Sequence, residues 1–198
     1  CHEGISASQP PFAPDLIHVG SRLNPDFIRS FIEAPQTHDP GTAMPDLLGD
    51  RDDKERKEIA ASITAYLLSL ETDEATPAPA AAKEGESGSE LYHEAGCVAC
   101  HTPLDQKDAS AHQGAVSLAH VGKKYRPGGL TAFLQEPLKT RPDGRMPDMK
   151  LSKREAELLS IFLIGDSGSE QKTEANDGAV IAAGKKAFSE MRCASCHD

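Results

Sequence analysis

Residues 97–101 read Cys97-Val98-Ala99-Cys100-His101, and the same pattern returns at the C-terminal end as Cys193-Ala194-Ser195-Cys196-His197. Cys1-His2 has the form of the last two residues of a third such run. Cys100 follows Cys1 by 99 residues and Cys193 follows Cys97 by 96, so the three occurrences share a nearly constant period. The surroundings repeat as well: Gly88 and Tyr92 before the first complete motif correspond to Gly184 and Phe188 before the second. A separate repeat sets residues 18–46 over 120–148, with ten of 29 positions identical and no gap, among them His18/His120, Gly20/Gly122, Pro35/Pro137, Met44/Met146 and Pro45/Pro147. Self-similarity at a fixed period marks tandem copies of one structural unit. The order within a copy is helix, Cys-x-x-Cys-His, His-Val-Gly, short helix, Met-Pro, helix. Only the middle copy contains all of it.

Two thiols one helical turn apart, followed directly by an imidazole, match the geometry of covalent c-type haem attachment. The thiols add across the two vinyl groups and the histidine becomes the proximal iron ligand. On this reading Cys97 and Cys100 anchor a haem ligated by His101, Cys193 and Cys196 one ligated by His197, and Cys1 with His2 belongs to another. All five cysteines are then used. A zinc site built from Cys97, Cys100, Cys193 and Cys196 would have to join pairs from different repeats across a polar linker. A thioredoxin-like redox pair would need a βαβ context that the sequence lacks.

The sixth ligand is sought after the Pro- and Gly-rich loops. Met44 lies 42 residues after His2 and Met146 lies 45 after His101, both in Met-Pro-Asp. Proline restrains the backbone next to the thioether, and Met/His ligation closes the iron and raises its potential. His18 and His120 repeat too, and are read as propionate or loop partners, or as alternative axial ligands. Met149 and Met191 are read as packing residues, and His38, His93 and His112 as surface residues. Lys123, Lys124, Arg126, Arg141 and Arg145 form a solvated basic face or a docking patch.

Composition supports several small units better than one large core. The 198 residues include no Trp, and Gly and Pro number 16 and 14. Units this small need something other than side chains to complete their cores. The net charge of −10 sits mainly in two stretches: residues 71–90 carry −5 and residues 165–178 carry −3, whereas residues 91–164 carry +2. Both acidic stretches are rich in Pro, Ala, Gly, Ser and Glu, and read as linkers. The expected division is residues 1–70, a linker at 71–87, residues 88–165, a linker at 166–177, and residues 178–198. No basic run with interleaved aromatics suggests nucleic acid, and no stretch approaches the length of a membrane helix. Cys1 in place of an initial Met leads to the expectation of a piece of a longer protein.

Regular structure is expected to be helical throughout. Asn24 and Pro25 start a helix that stops before Pro35, with Phe27, Ile28, Phe31 and Ile32 on its apolar face. Ser152 and Glu155 form a capping box ahead of Leu158, Leu159, Phe162 and Leu163. Ile59, Ile63, Tyr66, Leu67 and Leu70 keep helical spacing, as do Val180, Gly184, Ala187, Phe188 and Met191.

With these residues in place, the chain resembles tandem class I, mono-haem c-type cytochrome domains, as a fragment of a multi-haem protein. The resemblance implies an all-α fold of small helical bundles, each around one haem c. The middle site would be complete, the first would lack its first cysteine and the third its distal ligand. It also implies that the first and last helices of a domain cross at the glycine, with aromatics stacked there (Tyr92 with Phe162). The proximal histidine is commonly held by a carbonyl from a Pro-x-Leu segment. Pro14-Asp15-Leu16 matches that pattern, and the middle copy has Val116-Ser117-Leu118, without the proline. Electron transfer with redox partner proteins follows, in a periplasmic or otherwise exported location, with any membrane anchor carried by the parent. The alternative is the haem relay segment of a larger oxidoreductase or dehydrogenase, whose catalytic domain lies outside this stretch. A peroxidase would need an open iron, against which the two Met-Pro sites argue.

Overall fold

Proline at the first helical position starts four of the short helices, at Pro25, Pro35, Pro127 and Pro137, and aliphatic stripes define the long ones. The computed structural model describes residues 13–70, 77–102, 115–141, 144–165 and 177–197. The chain separates into two units, one of residues 1–74 with 171–198 and one of residues 75–170.

The first unit contains α1 (Val19–Arg22), α2 (Pro25–Glu33), α3 (Pro35–His38) and α4 (Asp53–Ser69), and is completed by α10 (Gly178–Glu190). Asn24 occupies the N-cap position of α2 with extended backbone and Pro25 stands at the first turn, as the sequence predicts, but the Asn24 side chain makes no capping hydrogen bond. Asp52 caps α4 by accepting from the amides of Lys54 and Glu55, each at 2.9 Å. The core is Val19, Ile28, Ile63 and Leu67, with Ala187, Phe188 and Met191 packed against it from the C-terminal segment. Residues 178–191, separated in sequence from 13–70 by the whole middle copy, thus share a core with them.

The second unit contains α5 (Gly88–Glu94), α6 (Val121–Lys124), α7 (Pro127–Gln135), α8 (Pro137–Thr140) and α9 (Lys153–Ile164). Both halves of the Ser152/Glu155 capping box form: Glu155 N–H donates to Ser152 Oγ at 3.3 Å and Ser152 N–H to Glu155 Oε2 at 2.7 Å. Buried hydroxyls find carbonyls, with Ser160 and Thr131 both donating to Pro127 O at 2.8 and 3.1 Å. Two short strands, β1 (His101–Thr102) and β2 (Val116–Ser117), pair in parallel, an addition to the purely helical expectation. Element by element the second unit mirrors the first, α6, α7, α8 and α9 corresponding to α1 to α4, and α5 to α10.

The structure differs from the sequence reading at two places. Met149 is 37% exposed rather than core, as is its counterpart Leu47 at 45%. His38 is exposed, in keeping with its reading as a surface residue, and its ring lies 5.7 Å from that of Phe27 and 6.1 Å from that of Phe31. Part of the segment read as linker is tied down. Arg154 on α9 donates to the carbonyls of Ala80 and Ala81, each at 3.0 Å, to Glu157 at 3.1 Å, and to both carboxylate oxygens of Glu86. That segment has almost no apolar side chain to bury, so composition alone hides a polar tether.

Arg154, and next the Lys83 amide, hold the Glu86 carboxyl down to about 2 from its ordinary 4.5. The folded carboxylate therefore keeps its charge where the unfolded one has taken up a proton. The tether contributes fully above the ordinary value and is lost as pH falls toward 2. Arg154→Gln should speed tryptic cleavage after Lys83 about tenfold, as expected for a released surface segment. An unchanged time course by mass spectrometry would show that the tether does not hold this segment.

Candidate haem-attachment sites

Each Cys-x-x-Cys-His motif begins at the end of a helix that is itself fixed by a close crossing. A Cβ added at Gly88 would lie 2.7 Å from Phe162 Cβ and inside the Leu158 carbonyl, so α5 meets the α9 backbone directly. One turn on, the ring of Tyr92 lies 5.6 Å from that of Phe162. The first unit repeats the arrangement: a Cβ at Gly184 would lie 3.0 Å from Tyr66 Cβ and inside the Ser62 carbonyl, and the rings of Tyr66 and Phe188 are 5.5 Å apart. Spacing of four places glycine and aromatic on one face of the helix.

After each helix the backbone enters the left-handed region for one residue, at Gly96 (φ 77°) and at Arg192 (φ 56°). It then forms a 3₁₀ turn, Cys97–Ala99 or Cys193–Ser195. Each turn is closed by the amide of the second cysteine donating to the carbonyl of the first, at 3.1 and 3.2 Å, which holds the two cysteines of a pair within one turn. All four of these cysteines are free thiols, Cys100 exposed and the others half-buried. Burial pushes the Cys97 and Cys193 thiols up. In haem-free protein at pH 8, iodoacetamide should therefore modify Cys100 several-fold faster than Cys97, since the thiolate is the nucleophile. Equal rates by peptide mapping would contradict the burial difference.

The histidine that follows is held through its Nδ1. His101 Nδ1 lies 3.3 Å from Val116 O, beside the β1–β2 pairing, and the Tyr92 hydroxyl donates to His101 O at 3.4 Å. His197 Nδ1 lies 2.9 Å from Pro14 O, 183 residues away in sequence. A carbonyl can only accept, so in both cases the proton sits on Nδ1 and the Nε2 lone pair is left for a metal. The Pro-x-Leu carbonyl anticipated at Pro14 is thus used, with His197 as its donor, and a Val carbonyl serves in the middle copy. Apolar side chains of the segments that supply both carbonyls are exposed, Val116 at 49% and Ile17 at 44%. Paired thiols, a histidine with its Nε2 unengaged and neighbouring apolar surface fit a covalently held haem.

The other predicted residues are placed as follows. Met44 and Met146 are half-buried, each six residues beyond the end of a short helix, α3 or α8. The Met44 carbonyl accepts from Gln36 Nε2 at 2.8 Å, and its amide donates to Thr42 Oγ1 at 3.3 Å. His18 and His120 occupy the N-caps of α1 and α6. The His18 carbonyl accepts from Ser21 Oγ and Arg22 Nε, and that of His120 from the amides of Lys123 and Lys124. Cys1, His2 and His112 lie outside the described residues. Sequence reasoning missed Val116 O, because any residue supplies a carbonyl, and Arg22, which donates to Asp15 O at 2.9 Å and fixes the loop that presents Pro14.

Residues 85–163 match the family model described as Cytochrome c. The match supports a c-type cytochrome domain over that stretch, a family that implies covalently bound haem c and haem-based electron transfer. Comparison with curated proteins and with solved structures found no match. No helix among the described residues is long and apolar enough to cross a membrane.

Proposed function

We propose that this protein transfers electrons through c-type haems with His/Met ligation, carried on tandem domains. The observation that supports it most is the joint placement in unit 2 of two free thiols on one 3₁₀ turn and a His101 whose Nδ1 is engaged by Val116 O. Cys97 and Cys100 would anchor the haem, His101 would be the proximal ligand and Met146 the distal one. Bound there, the haem supplies a one-electron Fe(III)/Fe(II) couple. The protein's part is to fix the imidazole tautomer, close the sixth position with a weak neutral ligand and cover the ring edge. Cys193, Cys196 and His197 would hold a second haem in the same manner. Linking such domains raises the effective concentration of one haem near the next. Covalent haem of this kind is attached outside the cytoplasm, so the protein is assigned to the periplasm or an equivalent exported location, with separate redox proteins as donor and acceptor. The same residues would serve as a relay within a larger oxidoreductase.

The test is the full chain exported from a host that matures c-type haem. Covalent haem by denaturing-gel stain, with the haem on residues 97–101 insensitive to carbon monoxide in the reduced spectrum, is the expected result. Met146→Ala should retain covalent haem and make the haem on residues 97–101 carbon monoxide-reactive, its sixth position having been opened. Absence of covalent haem in the parent chain would overturn the proposal.

A further inference from the structure

The sequence pairs Met44 with His2 and leaves the C-terminal motif without a distal ligand. The structure assigns them differently. We infer that residues 13–70 and 177–197 build one complete haem site, in which Cys193 and Cys196 attach the haem, His197 is the proximal ligand and Met44 the sixth. The inference rests on the haem reading above and adds which segments share a site.

Three contacts carry it, each with a counterpart inside the contiguous second unit. Gly184 lies against Ser62 and Tyr66 of α4 as Gly88 lies against Leu158 and Phe162 of α9. Phe188 meets Tyr66 at 5.5 Å as Tyr92 meets Phe162 at 5.6 Å. His197 Nδ1 donates to Pro14 O as His101 Nδ1 donates to Val116 O, and at the shorter distance, 2.9 against 3.3 Å. The Gly, aromatic and His contacts that one continuous stretch makes in the second unit are thus made in the first by segments from opposite ends of the chain. Met44 stands six residues past α3 as Met146 stands six past α8.

The pieces that present these groups are themselves fixed. Arg22 donates to Asp15 O and His18 O, on either side of the turn after Pro14. Arg56 on α4 donates to Glu33 O and, at 3.3 Å, to Asp46 of the Met44-Pro45-Asp46 run, whose other carboxylate oxygen accepts from the Leu48 amide at 3.0 Å. Separation along the chain is a weak obstacle, since the entropy of closing a loop grows only with the logarithm of its length.

The experiment uses the full chain with Cys97→Ala and Cys100→Ala, so that of the two complete motifs only the C-terminal one can attach haem. Haem stain and mass spectrometry register attachment; the reduced spectrum with and without carbon monoxide registers the sixth position. With Met44 present, the iron should stay closed. Met44→Ala should leave attachment intact and raise the carbon monoxide-bound fraction about tenfold, as loss of an axial ligand requires. Gly184→Val, which bars α10 from α4, should have the same effect, whereas His2→Ala should leave the spectrum unchanged. A haem that binds carbon monoxide as fully with Met44 as without it would overturn the shared site, as would one that stays closed in Met44→Ala. No haem on residues 193–198 of this variant would also overturn the shared site, and no haem in the parent chain as well would show that the haem reading itself had failed.

Discussion

Gly88→Val should lower the melting temperature of the second unit by about 12 °C or more, taking about 3 kcal/mol at the upper end of overpacking costs and about 4 °C per kcal/mol for a domain of this size. The upper end applies because the added carbons would meet the carbonyl of Leu158 and the first side-chain carbon of Phe162, neither of which can swing aside. Relief requires α5 to lift from α9. That separates Tyr92, 1% exposed, from Phe162, and pulls on the turn that carries Cys97 and Cys100. The Ser87 cap, which accepts from the Glu90 amide at 3.1 Å, would remain, so α5 keeps its local start signal while losing its seat. Gly178→Ala is the control: nothing lies within 4 Å of an added Cβ there, and the change should fall within about 0.5 kcal/mol. Thermal melts of the two variants in the full chain separate the cases, and equal melting temperatures would show that the α5–α9 approach is not a close packing.

That glycine was legible in the sequence, and the reason bears on what else was. Gly88 and Tyr92 are four apart, as are Gly184 and Phe188, and local spacing of this kind survives in any reading of the chain. So do helix starts: Pro25 at the first turn of α2, and Ser152 with Glu155 at the head of α9, appear where composition and order put them. The thiols and the imidazole of each motif are equally local. What escaped reading depends on groups with no side-chain signature or on partners far apart. The carbonyl that orients His101 belongs to a valine where a proline was looked for. The β1–β2 pairing spans two residues on each side, too short to leave a periodicity. The hold of Arg154 on Ala80, Ala81 and Glu86 joins residues up to 74 apart, and two of its acceptors are backbone atoms. The repeat showed that residues 178–197 correspond to the head of a copy; alignment says what a segment resembles, and packing decides against which surface it lies.

Cys97→Ala combined with Cys100→Ala should abolish covalent haem in the second unit while leaving the C-terminal motif able to hold its own. The two thiols belong to one 3₁₀ turn closed by the Cys100 amide donating to Cys97 O at 3.1 Å, and each contributes a separate thioether. A single replacement leaves one bond and hence partial retention; the double replacement leaves only ligation by His101, which denaturation releases. The sequence makes the outcome directly readable, because trypsin places the motifs on different peptides, residues 84–107 and 193–198. Covalent haem should disappear from the first peptide, by at least about tenfold, and persist on the second. Neither substitution removes a residue of the α5–α9 seat, since Gly88, Tyr92 and Phe162 are untouched, so loss of haem cannot be charged to loss of that crossing. His101→Ala gives the complementary state, with both thioethers possible and the proximal nitrogen gone. Haem that remains on residues 84–107 after both cysteines are replaced would mean that attachment runs through other atoms, and would remove the chemical basis for reading either motif as a haem site.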